Sequence, residues 1–229
     1  MTQHLTQSRA TRGFTLIELL TVIAIIAVLA AIGVGLTSAA KTARINARAQ
    51  SELQQIATAI EAYKGDRGVY PPDNPLTPAG SPKQRVNPVI NPLYYELRGM
   101  EVREGKFRAR GMEEALDPSD IKAVFGRSGF LNTSVEGGDP SRTYLDPKPA
   151  SVRRVTLESV QVELLVSPFD WPGTLAGPDG QQEAAPINGL RVNPWRYVSS
   201  SPTNNSGGFD LWIDVYTSAK AEKRVFKNW

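Results

Sequence analysis

Cysteine is absent from the 229 residues, which removes disulfide scaffolds, thiol nucleophiles, zinc ribbons and Cys-ligated clusters in one step. Histidine is nearly absent, since the single copy, His4, precedes the first apolar run. Proline is missing from the first 70 residues, and all 17 copies fall between Pro71 and Pro202. An interior proline costs a helix about 3 kcal/mol, so such a gap is what a long uninterrupted helix requires. An excess of one charge sign is also lacking. Lys plus Arg number 26 against 23 acids, evenly spread, and no nucleic-acid partner is expected from a net charge of +3. With 41% hydrophobic and 21% charged residues, wholesale disorder is excluded.

What is present falls into two textures that meet near residue 70. Residues 1–13, MTQHLTQSRATRG, are polar and carry Arg9 and Arg12 with no acid. Residues 14–36, FTLIELLTVIAIIAVLAAIGVGL, follow with one charge, Glu18. A helix of that length rises about 35 Å, enough for a hydrocarbon core of about 30 Å, and the segment reads as a transmembrane helix. A secretory signal peptide would be shorter and discarded, with Ala30, Ala31 and Gly33 as the small residues available for ordinary cleavage. The continuation argues against that fate. Ile45, Ala49, Leu53, Ile56, Ile60 and Tyr63 recur at helical spacing and make one apolar stripe, so residues 37–64 read as the amphipathic half of the same helix. Gly65 and Gly68, then Pro71 and Pro72, are the stop signals.

Glu18 is the residue a plain anchor does not explain. A carboxylate inside an apolar span costs a few kcal/mol. It either snorkels to the headgroups or meets a positive group. Cleavage after Gly13 would create such a group, a new amine at Phe14 about 6 Å of helix rise away, and an amine on an adjacent copy would set axial register between chains.

The string RGFTLIELLTVIAIIAVLAAI resembles the amino-terminal signature of type IV pilins and type II secretion pseudopilins. The resemblance implies a prepilin peptidase cutting between Gly13 and Phe14, N-methylation of Phe14, and Glu18 as the filament-assembly glutamate. It also implies the bacterial inner membrane, a single pass and a periplasmic head. Two features sit apart from that pattern. Basic residues number Arg9 and Arg12 before the span against Lys41, Arg44 and Arg48 after it, so the positive-inside rule does not supply the orientation. Gly33 and Gly35 stand where many pilins carry a helix-breaking proline; they allow either a local bend or close helix packing.

Residues 65–229 read as the head, neutral with 20 basic and 20 acidic side chains. Pro71 to Pro92 predicts an extended loop with little regular structure. Residues 93–100 and 111–125 read as short helices, the second interrupted by Pro118 with Asp117 or Ser119 as cap. Arg153 to Val166 alternates and reads as a strand; Arg196 to Ser200, Phe209 to Thr217 and Arg224 to Phe226 read as an antiparallel meander whose apolar face the helix stripe would cover. The fold class expected is therefore α+β, a long N-terminal helix packed against a C-terminal antiparallel sheet, in a pilin-like arrangement.

The strings GDRGVYPPD at 65–73, NPWRYVSS around Asn193 to Tyr197, GGFDLW around Phe209 to Trp212 and the closing KNW are similar to major pseudopilins of type II secretion. Residues 75–190 have no match in that pattern. Members commonly bind calcium just after the FDL strand, but IDVYTSAKAEKRV offers three basic residues and no paired acids, so no metal is carried over. Asp210 and Asp214 read as exposed strand residues, and Asp170 and Asp179 as turn formers. By resemblance the partners are prepilin peptidase, like pseudopilin subunits, an assembly ATPase and an inner-membrane platform. Loss of the leader would remove His4, which leaves no histidine or cysteine catalysis, and no G-x-S-x-G, P-loop or dinucleotide fingerprint occurs. No enzyme and no cofactor are expected. The competing reading is a membrane-anchored adhesin or ligand-binding head that does not polymerise.

Overall fold

The computed structural model describes residues 14–76, 85–135, 138, 140–172, 175–176, 182–183, 185–187, 189–217 and 222–229; the side chains of 31–39, 175–176, 182–183, 217 and 222 are not described. The chain divides into two compact units, Met1–Arg44 and Ile45–Trp229.

The proline-free stretch forms one helix, α1, Leu16–Arg67, of 52 residues. It runs three residues beyond the expected end because Gly65 is accepted inside it, at a cost of about 1 kcal/mol relative to alanine. The stop is Gly68, whose φ of +77° suits a residue without a side chain and whose N–H donates to the Lys64 carbonyl (2.9 Å). The described apolar side chains near the start of α1 run from Leu16 to Ala30, about 22 Å of rise. Among the described residues no helix is long and apolar enough to cross a membrane. The remainder of the expected span, 31–36, has no described side chains.

In the second unit the stripe behaves as its spacing predicts. Ala49, Leu53, Ile56, Ile60 and Tyr63 are buried and Ile45 is partly buried, all in one core. The next elements are β1, Asn74–Pro75, paired antiparallel with β2, Val86–Asn87, so the described part of the proline-rich segment, expected to hold little regular structure, carries a two-residue ladder. Helix α2, Leu93–Arg98, buries Leu93 and Leu97 and ends at Gly99. Strands β3, Met100–Arg103, and β4, Lys106–Ala109, form a hairpin about Glu104 and Gly105. With β5, Ala115–Leu116, and β6, Thr133–Ser134, they make a four-stranded sheet in the order β5-β4-β3-β6, in which β6 runs parallel to β3. Helix α3 spans Pro118–Phe125, so the helix expected from residue 111 starts seven residues late. Pro118 begins it at the first turn instead of interrupting it, where its missing N–H costs nothing. Asp117 occupies the cap position without making a side-chain capping bond.

A single 3-10 turn, Pro149–Ser151, leads into β7, Val152–Leu157, and β8, Val160–Leu165. These two pair antiparallel where one continuous strand was expected. The reversal falls on Glu158 and Ser159, both at positive φ (48° and 66°), the conformation of a two-residue type I′ turn, which usually carries Asn-Gly or Asp-Gly. Strands β9, Leu175–Ala176, and β10, Gln182–Glu183, make another short antiparallel pair. The meander follows as expected: β11, Arg196–Val198, β12, Asp210–Thr217, and β13, Glu222–Lys227, antiparallel in that order. Tyr197 lies opposite Leu211 and Ile213 opposite Phe226. Leu211 and Ile213 are fully buried in the same core as Leu53, Ile56 and Ile60. The α+β class is thus correct, with antiparallel pairing dominant and one parallel pair, β3 with β6, among the described residues.

Candidate functional site

The amino-terminal end of α1 is built by a local hydrogen-bond pattern. Thr15 precedes the helix, and its backbone N–H and its hydroxyl both donate to Glu18 Oε2, at 2.9 and 2.8 Å. The Glu18 N–H donates back to the Thr15 hydroxyl oxygen at 3.3 Å. This is a reciprocal capping box, in which the third helical residue satisfies the N–H of the cap and the cap satisfies the third N–H. Its signature, Thr-x-x-Glu ahead of an apolar run, is present in the sequence as Thr15 to Glu18 and gives the acid a local role besides the two expected of it. The carboxylate also lies in the first turn, where the helix dipole favours a negative charge.

Around this cap the described apolar side chains are exposed. Phe14 is 82% exposed, Leu19 60% and Ile26 58%. Gly13, the other partner of the expected cleavage bond, lies outside the described residues, as does the leader with His4. Phe14, Thr15 and Glu18 therefore sit together at the helix start, with the carboxylate two residues into helix α1 and bonded to Thr15.

The head contributes buried carboxylates, two of which, Glu96 and Asp73, the sequence does not single out. Glu96 on α2 is fully buried and accepts from the Tyr63 hydroxyl (2.8 Å) and from the N–H groups of Leu131 (2.9 Å) and Asn132 (3.0 Å). Burial pushes its carboxyl above the usual range, with those donors opposing the shift. Burial, with Glu96 adjacent, pushes the Tyr63 hydroxyl up as well, so that it remains a donor. Asp73 accepts from the N–H groups of Ser199 and Ser200 and from the Ser200 hydroxyl, 2.7–3.0 Å. Asp210, 3% exposed, gathers the N–H groups of Thr203, Asn204 and Asn205. Asp214, 8% exposed, faces Arg196 and Lys223, each at 3.4 Å.

The expectation that Asp210 and Asp214 are exposed is therefore corrected. Both are interior strand residues whose charge is met by loop N–H groups or by cations, a non-local arrangement that strand alternation does not reveal. Asp170 is exposed and 3.9 Å from Arg153, and Asp179 lies outside the described residues. Among the described residues no group of three or more His, Cys, Asp or Glu is placed to hold a metal ion. Residues 218–221 of the segment compared with a calcium loop lie outside them.

Comparison with known proteins reaches the same end of the chain. Residues 8–34 match the family model described as Prokaryotic N-terminal methylation motif. This prepilin-type motif spans Gly13, Phe14 and Glu18, the residues the sequence resemblance singles out. A protein of Phenylobacterium zucineum (strain HLK1) named ferrochelatase is 26% identical over 110 residues, which are 46% of this chain and 32% of that protein. The chain thus spans about a third of the length of that curated relative. No solved structure matches.

Proposed function

We propose that the chain is a structural subunit of a periplasmic pseudopilus, a type IV pilus-like filament serving type II protein secretion. In this reading it is held in the bacterial inner membrane by residues 14–36, cut between Gly13 and Phe14, methylated at Phe14, and drawn into the filament by an assembly ATPase and an inner-membrane platform. The observation that carries it is the N-terminal methylation motif at 8–34, with Glu18 falling five residues into the chain that begins at Phe14.

Two physical arguments support the filament. Side chains such as Leu19, Ile23 and Ile26, each more than half exposed, need lipid or a sheath of like helices, and a filament core supplies the second when the first is left. A carboxylate moved into such a core requires a positive partner, which a Phe14 ammonium on a neighbouring copy provides. Glu18 can keep the Thr15 bonds and accept this partner as well, because a carboxylate offers about four lone-pair sites.

Intact-mass measurement of the protein purified from membranes tests the processing step. The expected species begins at Phe14 and is about 14 Da heavier when methylated. A chain that keeps Met1 and stays monomeric under crosslinking overturns the proposal in favour of a simple anchored head.

A further inference from the structure

Two charged residues of α1, Lys41 and Arg44, are used by no step above. Residues 19–51 contain no acid, so within Met1–Arg44 these cations share their unit with one carboxylate, Glu18, about 35 Å of helix rise from Lys41. Both residues are exposed. They stand three residues apart and so share one helix face, and the positions three and four residues to either side of them carry no acid. Arg48, by contrast, has Glu52 at 3.3 Å. Orientation does not account for Lys41 and Arg44 either, since the basic residues after the apolar run outnumber those before it.

Their position along the helix identifies the counterion. With one edge of a hydrocarbon core of about 30 Å at Glu18, the other edge falls near residue 38. Lys41 then lies about 5 Å and Arg44 about 9 Å beyond that edge, against a headgroup layer about 5–8 Å deep, and long basic side chains lean back toward the layer. The anions found at that depth are lipid phosphates. A guanidinium takes a phosphate by two parallel bonds, and an ammonium beside it adds a compact charge. A zwitterionic headgroup brings its own cation to the same place and an anionic one brings none, so the pair favours the anionic lipid.

We infer that Lys41 and Arg44 form a binding site for the phosphate of an anionic phospholipid headgroup, where α1 leaves the bilayer. The inference rests on residues 14–36 being a membrane span and is independent of leader cleavage and of the partner of Glu18. It gives the waiting subunit a lipid contact that is broken when the chain enters a filament.

The test uses the full chain reconstituted in vesicles of equal parts phosphatidylglycerol and phosphatidylcholine with matched acyl chains. Flotation after a carbonate wash reports insertion, and native mass spectrometry of the released chain reports which lipid stays bound. Each cation near an anionic surface is worth about a fivefold preference. Wild type is therefore expected to retain phosphatidylglycerol over phosphatidylcholine by about thirtyfold, Lys41→Gln or Arg44→Gln by about fivefold, and the double variant to retain the two alike. Arg103→Gln combined with Lys122→Gln, which removes two exposed cations of the second unit, is expected to keep the full preference. A wild-type chain that floats but shows no preference overturns the inference and leaves the span standing, as does a control variant that loses as much preference as the double variant. A chain that does not float overturns the span and the inference together.

Discussion

Replacing Glu18 by Gln separates two roles that alanine would remove together. Gln serves as well as Glu at the third position of a capping box, so the bonds between Thr15 and residue 18 are kept while the charge is lost. The cap itself is worth about 1 kcal/mol, a factor of about five in an equilibrium. A carboxylate and an ammonium 4 Å apart at an effective dielectric constant of 20 attract by about 4 kcal/mol, a factor of about a thousand. The assay is the fraction of chain recovered in sheared filaments, with leader cleavage at Gly13 checked by mass. Glu18→Gln is expected to be inserted and cleaved normally yet to fall about a thousandfold in incorporation, whereas Thr15→Ala, which spoils the cap and keeps the charge, falls about fivefold. Wild-type incorporation of the Gln variant would refute the inter-chain role and leave Glu18 as the start of a helix and nothing more. Equal losses in the two variants would assign the defect to the cap.

Two further perturbations test the head. Glu96→Ala leaves the Tyr63 hydroxyl and the Leu131 and Asn132 N–H groups without an acceptor in a buried place, and a loss of at least about 3 kcal/mol is expected in urea unfolding; a loss under about 1 kcal/mol means that Glu96 is not the junction described. The Arg142 guanidinium, 2.6 Å away, holds the Asp66 carboxyl below its usual range. A lowered folded value means that stability from the pair is present above the unfolded Asp pKa of about 3.9 and is lost as the pH falls through the folded value. The gap in thermal midpoint between wild type and Asp66→Asn is therefore expected at neutral pH and closes in acid; a gap that is constant with pH removes the pairing.

The parts of the fold legible in the sequence were those set by local periodicity. The stripe from Ala49 to Tyr63 is buried where helical spacing put it, and the meander from Arg196 onward pairs as its alternation implied. Reading failed where a decision depended on a turn with unusual residues or on a distant partner. Glu158 and Ser159 carry no glycine or asparagine to advertise their reversal, so two strands looked like one. Pro118 reads as a breaker in the sequence because a proline that interrupts a helix and one that begins it differ only in what precedes them. Asp210 and Asp214 looked exposed because the groups that satisfy them, at 203–205 and at Arg196 and Lys223, become neighbours only after folding. At the candidate site, the motif residues were legible and the Thr15 cap was overlooked, although its four-residue signature lies inside the motif.

Because Ala49, Leu53, Ile56, Ile60 and Tyr63 belong to the interior that Leu211 and Ile213 close, the natural cut for a soluble fragment is not at Gly68, where helix α1 stops. A piece beginning there would open a trench of leucine, isoleucine and tryptophan to water and clump on expression. Starting near Ile45 keeps that wall in place and leaves the greasy first stretch behind, which makes the boundary between the two units the place for anyone wanting crystals of the carboxyl-terminal portion to begin.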